Sequence, residues 1–345
     1  MRSPADGPSD GPSADRREFS VVAEGLRKTY GDKRALDGFD LAVPRGTVFG
    51  LLGPNGAGKT TAVRILCTLI RLDGGSARVA GHDVASEPRM VRRRIGLTGQ
   101  NPAVDEIMTA RQNLEMFGRL FHLGRSRARR RAGELLEQFG LSEAADKQPR
   151  EFSGGMRRRL DLASSMILAP EVLFLDEPTT GLDPRGRSEV WQAVRSLTET
   201  GTTVVLTTHY LDEADKLADR VAVIDRGRNV TESSPAFGGR TPTPAALKRA
   251  IGGDRVEVTA GEESDIPGIV RAVARVAADG SEPEIDADAR RVHASVPAGE
   301  GVAALMEVAR SLQDAGLVVE DIGLRRPTLD EVFLTLTRRK QEALA

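Results

Sequence analysis

Cysteine and an N-terminal targeting segment are the first features that this sequence lacks. Cys67 is the single cysteine among 345 residues, so no disulfide can form within the chain. The first residues do not combine a basic start with an apolar stretch, which is the pattern of a secretory signal peptide. We therefore expect a protein of the cytoplasm.

Long hydrophobic runs and an excess of charge of either sign are also missing. Apolar runs such as TVFGLL and EVLFL end far short of the about 20 residues that a membrane-spanning helix needs. The net charge of -1 gives no global basic excess, so nucleic acid is not an expected partner. With 39% hydrophobic and 29% charged residues, the composition is that of a folded globular protein.

The first half of the chain changes its pattern several times. Residues 1–17 are rich in Pro, Gly, Ser and Asp and predict a disordered tail. From Phe19, two strand-like segments flank a turn at Gly31 and predict an antiparallel β-layer. A short apolar strand, a glycine-rich turn and a helix then follow over residues 47–70, and they belong to a first domain that we expect to span 18–230.

The later part of the chain predicts more helices, a parallel sheet and a second domain. Residues 105–165 contain long helical stretches with few β-branched residues and predict a helical subdomain. Buried strands at 172–175 and 203–208 flank a helix, which favours a mainly parallel sheet. Residues 231–244 are typical of a linker. Alternating helices and strands over 245–345 predict a small C-terminal α/β domain that ends in a helix.

The segment GPNGAGKT at residues 53–60 fits the phosphate-binding pattern G-x-x-x-x-G-K-[ST], between a predicted strand and a predicted helix. Glycines let backbone N–H groups approach phosphate oxygens closely, and the helix N-terminus adds partial positive charge. Lys59 would reach the β- and γ-phosphates, and the Thr60 hydroxyl would bind Mg²⁺. The alternative is a glycine-rich turn without phosphate chemistry, which the flanking strand and helix disfavour.

Two acidic residues end the apolar strand VLFL. A carboxylate at the carboxyl end of a parallel strand, here Asp176, can meet the Mg²⁺ of a neighbouring phosphate loop. Because side chains alternate along an extended segment, Glu177 does not face the metal and is free to polarise an attacking water as general base. An ordinary strand-ending turn is the alternative for Asp-Glu-Pro taken alone.

A second anion site without a lysine is indicated by FSGGM at residues 152–156. Ser153 is a candidate N-cap for the following helix, and the glycine N–H groups point out from a positive helix end. Simple helix capping is the alternative for this motif when it stands alone.

The ordered set of motifs resembles the ATP-binding cassette of ABC transporters over about residues 19–230. In sequence order the set is Tyr30, GPNGAGKT, Gln100, FSGGM, FLDEP, GLD at 181–183 and His209. The resemblance implies a P-loop NTPase (RecA-like) core with an antiparallel β-subdomain and a helical insert. It also implies a head-to-tail dimer in which each ATP lies between the P-loop of one protomer and the signature, Ser153 to Gly155, of the other.

The same resemblance assigns roles to individual residues. The catalytic residues are Glu177, His209 and Lys59, and the Mg²⁺ ligands are Thr60, Gln100 and Asp176. Edge-strand, loop and core positions remain the structural alternatives for Tyr30, Gln100 and His209, respectively. The implied ATP-binding residues are Tyr30, Gly53, Pro54, Asn55, Gly56, Ala57, Gly58, Lys59, Thr60, Thr61, Gln100, Ser153, Gly154, Gly155 and Asp183.

A narrower resemblance covers nearly the whole chain. The ending GGM of the signature, LTGQNPAVDE, TTGLDPRGR and PTLDEVFLTLT resemble the daunorubicin-resistance (DrrA-type) ATP-binding subunits of drug exporters. The signature differs from the LSGGQ consensus at Phe152 and Met156, so any contact between the consensus glutamine amide and nucleotide is lost. The Ser/Pro/Gly-rich stretch at about 232–242 is longer than in that family.

The resemblance leads to a main functional hypothesis and two alternatives. The main one is an Mg²⁺-dependent ATPase subunit that powers export of a hydrophobic drug or antibiotic. It would work as a homodimer on the inner face of the membrane, attached to a separate integral-membrane permease. One alternative is a soluble ABC ATPase acting on ribosomes or DNA, which usually needs two cassettes or coiled-coil arms that this sequence does not show. The other is an importer ATPase with the same catalytic residues.

Overall fold

The structure is a computed structural model that describes residues 18–231, 241–251, 254–278, 282–286, 288–297, 299–325 and 328–329. The chain divides into two units, Met1–Thr241 and Pro242–Ala345. The predicted tail at 1–17, most of the predicted linker and most of the predicted C-terminal helix lie outside the described residues. Within the described ranges, no helix has the length and apolar character needed to span a membrane.

The first unit is built on two β-sheets. Its strands in the described residues are β1 (Phe19–Tyr30), β2 (Lys33–Pro44), β3 (Val48–Leu52), β4 (Gly74–Val79), β5 (His82–Asp83), β6 (Ile95–Thr98), β7 (Val172–Asp176), β8 (Thr203–Thr208), β9 (Arg220–Asp225) and β10 (Arg228–Asn229). The first sheet has the order β2-β1-β4-β5 and is antiparallel. The second has the order β10-β9-β3-β8-β7-β6 and is parallel apart from β10. Both predicted sheet types are confirmed.

Helices and the first sheet cover the two faces of the parallel sheet. The helices of this unit are α1 (Lys59–Leu66), α2 (Pro88–Arg92), α3 (Ala110–Leu120), α4 (Arg125–Gln138), α5 (Gly154–Ser165), α6 (Pro184–Glu199) and α7 (Leu211–Leu217). Alternate residues of β7 enter different cores. Phe174 packs in a core with α1 and the antiparallel sheet, whereas Leu173 and Leu175 pack in a core with α3 to α6. The carboxyl ends of these buried strands meet at one edge, where parallel sheets carry their ligand sites.

The helical segment between β6 and β7 begins with a well-defined cap. Thr109 Oγ1 accepts a hydrogen bond from Gln112 N at 3.2 Å, and Gln112 Oε1 accepts one from Thr109 N at 2.9 Å. This reciprocal pair is a capping box, which satisfies two N–H groups at the start of α3. Asn113 lies fully buried one turn later and donates to the backbone oxygens of Asp105 and Met108. The cap and this amide together fix the loop that leads into the helical segment.

The second unit is a small α/β fold. Its elements are α8 (Pro244–Ile251), β11 (Arg255–Ala260), α9 (Ile266–Ala274), β12 (Glu284–Asp286), β13 (Arg291–Ser295), α10 (Gly301–Asp314) and β14 (Val319–Arg325). The strands form an antiparallel sheet of order β12-β13-β11-β14. The succession β-α-β-β-α-β from β11 to β14 is the ferredoxin-like arrangement. Strand β12 is not predicted from the sequence, because three exposed residues are too few to form a pattern.

Candidate nucleotide-binding site

The phosphate loop connects β3 to α1, and two of its glycines have no room for a side chain. A Cβ at Gly53 would lie 2.3 Å from the backbone oxygen of Ile224. Gly58 has a φ of +113°, and a Cβ there would lie 2.6 Å from the backbone oxygen of Ala35. Gly58 is also the N-cap of α1 and offers no side-chain hydrogen bond to it. The first N–H groups of α1 are therefore available to an anion.

Lys59 is buried beneath this loop with 5% of its side chain exposed. Its Nζ donates to the backbone oxygens of Gly53 at 2.7 Å and Pro54 at 3.1 Å, and it lies 3.7 Å from Glu177 Oε1. Burial lowers the pKa of Lys59, and the nearby Glu177 and Asp176 carboxylates oppose that shift. The ammonium group is thus held at the mouth of the loop by oxygen atoms that phosphate oxygens can replace.

Asp176 ends β7 at a buried position beside the P-loop helix. Thr207 Oγ1, on the neighbouring strand β8, donates to Asp176 Oδ1 at 2.5 Å. Thr60 Oγ1 lies 3.3 and 3.2 Å from the two carboxylate oxygens of Asp176. A hydroxyl and a carboxylate at this spacing are hard oxygen donors of the kind that Mg²⁺ uses together with substrate phosphates. The residues present therefore fit Mg²⁺.

Glu177 has an unusual backbone and a crowded carboxylate. Its φ is +51°, a region that residues other than glycine rarely adopt and that occurs often at functional sites. Its N–H donates to the backbone oxygen of Thr207 at 3.0 Å. His209 Nδ1 lies 3.1 Å from Glu177 Oε1, but the ring is not oriented for a hydrogen bond, and Nδ1 has no such partner among the described residues. Lys59 and His209 thus flank the carboxylate.

A pocket of about 300 Å³ brings most of the predicted site together. Tyr30, Gln100 and Glu177 line it with the P-loop residues Pro54, Asn55, Gly56, Gly58, Lys59, Thr60 and Thr61. Gly53, Ala57, Asp176 and His209 are not part of its lining. Lys33 and Ala35 line the pocket as well and are missed by the sequence reasoning. The basic residue Lys33, three positions after Tyr30, is the signal that could have indicated the first of them.

The signature residues do not line this pocket. Ser153 is the N-cap of α5, and its Oγ accepts from Met156 N at 3.2 Å. Ser153 and Gly154 are exposed, whereas a Cβ at Gly155 would lie 3.0 Å from Gly186 Cα. The signature therefore packs closely on the start of α6 and presents its N-terminal end to the outside.

Asp183 has a structural position of its own. It is the N-cap of α6, and its Oδ1 accepts from Gly186 N at 2.8 Å. Its side chain thus satisfies a backbone group of its own chain and, like the signature, lies outside the pocket lining.

Both departures from the signature consensus are apolar and pack inward. Phe152 is 7% exposed and belongs to the core under the helical segment. Met156 is partly buried and packs against the same core. The two side chains therefore anchor the start of α5.

Comparison with known proteins places this geometry in a class. A family model described as ABC transporter matches residues 36–180, which include the P-loop, Gln100, the signature, Asp176 and Glu177. A structure of cbiO1 from Clostridium perfringens, part of the ABC transporter complex cbiONQ, is 27% identical with a TM-score of 0.58. The aligned region is 61% of this chain and 87% of cbiO1. The first unit is thus a P-loop NTPase of the ATP-binding cassette type.

Two further proteins refine the comparison. The daunorubicin resistance ATP-binding protein DrrA2 of Streptomyces coeruleorubidus is 65% identical over 324 residues, 94% of this chain and 97% of that protein. A dimeric, post-hydrolysis ATP-binding cassette bound to ADP and Pi is 27% identical with a TM-score of 0.54, over 61% of this chain and 96% of that one. The chain belongs to the daunorubicin-resistance family of ABC transporter ATP-binding proteins, and it is an ATP-hydrolysing subunit.

Proposed function

We propose that this chain powers the export of a hydrophobic drug or antibiotic through a separate integral-membrane permease. The main support for this proposal is the 65% identity with a daunorubicin resistance protein over 94% of the chain. That match includes the second unit as well as the cassette. Export is favoured over import and over action on ribosomes or DNA because the similarity extends across both units.

We propose roles in ATP and Mg²⁺ binding for five side chains in or beside the pocket. Lys59 binds the β- and γ-phosphates, while the backbone N–H groups at the start of α1 bind phosphate oxygens. Tyr30, which is 48% exposed at the pocket edge, stacks on the adenine ring. Thr60, Gln100 and Asp176 hold Mg²⁺, which neutralises charge on the phosphates. Each of these residues except the buried Asp176 lines the pocket.

Glu177 is the general base in this proposal. Phosphate oxygens replace its carboxylate beside Lys59, which frees the carboxylate to accept a proton from the attacking water. His209, whose Nδ1 lies 3.1 Å from Glu177 Oε1, holds a γ-phosphate oxygen in this proposal. The strained backbone of Glu177 keeps the carboxylate over this position.

The signature completes the site from a second copy of the chain. Ser153 and Gly154 are exposed at the start of α5, and the backbone N–H groups of such a helix end suit the phosphates of an ATP bound to the partner's P-loop. This arrangement is a head-to-tail dimer with ATP between the protomers, and Asp183 lies near that interface.

The permease docks beside Gln100 and the helical segment, which places the chain on the inner face of the membrane. Large apolar side chains are exposed there, with Ile107 74%, Leu120 63% and Phe121 47% accessible. A groove of about 540 Å³ along α3 includes Met108, Met116 and Leu120 in its lining. Exposed apolar side chains around a groove are typical of a surface that binds another protein.

Transport measurements test the proposal. The chain is expressed with the membrane protein that co-purifies with it, in cells that lack their own daunorubicin efflux, and cellular daunorubicin is followed by fluorescence. The wild-type pair should lower the accumulated drug, and the same pair with Glu177→Gln should not. Equal accumulation with both, despite ATP hydrolysis by the wild type, would rule out this drug class as substrate.

A further inference from the structure

A buried ion pair lies on α5, immediately behind the signature. Arg158 and Asp161 are 4% and 3% exposed, and Arg158 Nη1 lies 3.2 Å from Asp161 Oδ2. The two residues are one helical turn apart on the same face. Because burial of charge is costly, such a pair is expected to use its remaining hydrogen-bonding atoms elsewhere.

The pair also holds the loop around Gln100 at two points, although Arg158 Nη2 has no hydrogen-bond partner among the described residues. Arg158 Nη1 donates to the backbone oxygen of Gly99 at 2.7 Å. Asp161 Oδ1 accepts from the backbone N–H of Ala103 at 2.9 Å. The loop is therefore attached to α5 on both sides of Gln100, while the Gln100 side chain remains exposed to the pocket.

The same arginine holds the segment that carries Glu177. Arg158 Nε donates to the backbone oxygen of Pro178 at 2.8 Å, one residue beyond Glu177. On the other side, the Glu177 N–H is bound to the backbone oxygen of Thr207 at 3.0 Å. Glu177 keeps its φ of +51° between these two attachments, and a strained residue persists only where its surroundings fix it.

Stability alone does not account for this arrangement. A buried ion pair is often no more stabilising than apolar residues of similar volume. An apolar pair could not bind the backbone of Gly99, Ala103 and Pro178. The distinctive property of the ion pair is thus that one rigid helix fixes two loops of the nucleotide site.

We propose that Arg158 and Asp161 form a positioning unit that sets the Gln100 loop and the Glu177 backbone together, relative to the signature helix. This inference rests on the proposed roles of Gln100 and Glu177. A displacement of α5 would move both loops at once, so a change at the signature reaches the general base and Gln100 through the same guanidinium group.

The decisive variant is Arg158→Lys, which keeps a positive charge beside Asp161 but lacks the fork that binds two carbonyl groups. Its matched control is Arg159→Lys. Arg159 is the next residue on α5, and it likewise pairs with a carboxylate, Glu189, at 3.1 Å. It also donates to the backbone oxygen of Phe139 at 2.9 Å, and within the described residues none of its hydrogen bonds or ion pairs reaches the pocket loops.

Two readouts on the full chain are compared for both variants. In amide hydrogen exchange, Arg158→Lys should increase exchange in residues 99–104 and 177–180 together, whereas Arg159→Lys should leave both segments unchanged. In steady-state ATP hydrolysis, Arg158→Lys should lower kcat about tenfold or more with KM changed less than about threefold, because the P-loop is untouched. Exchange that rises equally across unit 1, or in only one of the two segments, would overturn the proposal.

Glu177→Gln and Arg158→Lys distinguish the general base from the positioning unit. Persistent hydrolysis by Glu177→Gln would contradict the proposed function itself. Loss of hydrolysis in Glu177→Gln, together with identical behaviour of Arg158→Lys and Arg159→Lys, would contradict only the positioning unit. If Arg158→Lys also lowers the melting temperature of the protein, faster exchange confined to residues 99–104 and 177–180 still supports the positioning unit. Faster exchange throughout the unit contradicts it.

Discussion

The N-termini of α1 and α5 are built for anions in opposite ways. At α1, the cap is Gly58, which gives no side-chain hydrogen bond, and Lys59 supplies a buried cation within the same pocket. At α5, the Ser153 hydroxyl already caps the helix, the end is exposed, and the signature contains no lysine. One end is thus a nearly complete phosphate site, and the other is a surface that needs a ligand held elsewhere.

This difference suits the proposed head-to-tail dimer, in which each protomer supplies one of the two helix ends to a nucleotide site. An exposed helix end attracts an anion but has no pocket to retain it, whereas a pocket with a buried lysine retains phosphates without help. In the proposed dimer, ATP bound in the pocket would provide the anion that the partner's α5 lacks. Nucleotide binding is therefore expected to precede and stabilise the dimer.

The largest expected effect is on the α1 side, from Glu177→Gln. The amide keeps the shape of the side chain but cannot accept the proton, so hydrolysis should fall by about 10² or more while ATP still binds. ATP hydrolysis and nucleotide binding are measured side by side. Glu171→Gln is the control, because Glu171 precedes the opposite end of β7 and pairs with Arg94; comparable activity of both variants would remove Glu177 from the mechanism.

Covalently linked dimers test whether the α5 end serves the neighbouring chain. Lys59→Ala disables a chain's own P-loop, and Ser153→Arg disables the signature that it lends to its partner. With one change in each chain, both lesions fall in one composite site and the other site is intact. With both changes in one chain and none in the other, each site receives one lesion.

The first linked dimer should therefore retain hydrolysis at least about tenfold above the second, because only the first keeps an intact composite site. ATP-stabilised compaction of the linked dimer is the second readout, for the case in which one site alone does not turn over. Identical behaviour of the two dimers in both readouts would mean that the nucleotide site belongs to a single chain and that Ser153 only caps α5.

The sequence reveals the α1 side more completely than the α5 side. Contiguous motifs of a few residues reveal the P-loop, Asp176 and Glu177. Most of the residues predicted for the ATP site line one pocket. The Thr207 hydroxyl escapes prediction because it reaches Asp176 only through the pairing of β7 with β8. The contacts of Arg158 are likewise invisible in the sequence, since its partners lie 59 and 20 residues away.

A smaller effect is expected at the rim of the pocket, from Tyr30→Ala. Stacking of a base on an aromatic ring is worth about 1–3 kcal/mol, so the KM for ATP should rise about tenfold with kcat little changed. Tyr30→Phe keeps the ring and should restore a KM close to that of the wild type. An unchanged KM in Tyr30→Ala, or no recovery in Tyr30→Phe, would show that adenine does not stack at this position.

The smallest effect separates capping from nucleotide binding at α5. Ser153→Ala removes the hydrogen bond to Met156 N and should cost about 1 kcal/mol of unfolding free energy, as loss of an N-cap commonly does. Thr109→Ala removes the corresponding cap from α3, away from the pocket lining. Both variants should therefore lower the melting temperature by about 2–4 °C. Only Ser153→Ala should also raise the ATP concentration needed for dimerisation, by several-fold, because in the proposed dimer its hydroxyl faces the partner's nucleotide. Light scattering across an ATP titration measures this, and a parallel shift in Thr109→Ala would trace the effect to stability alone.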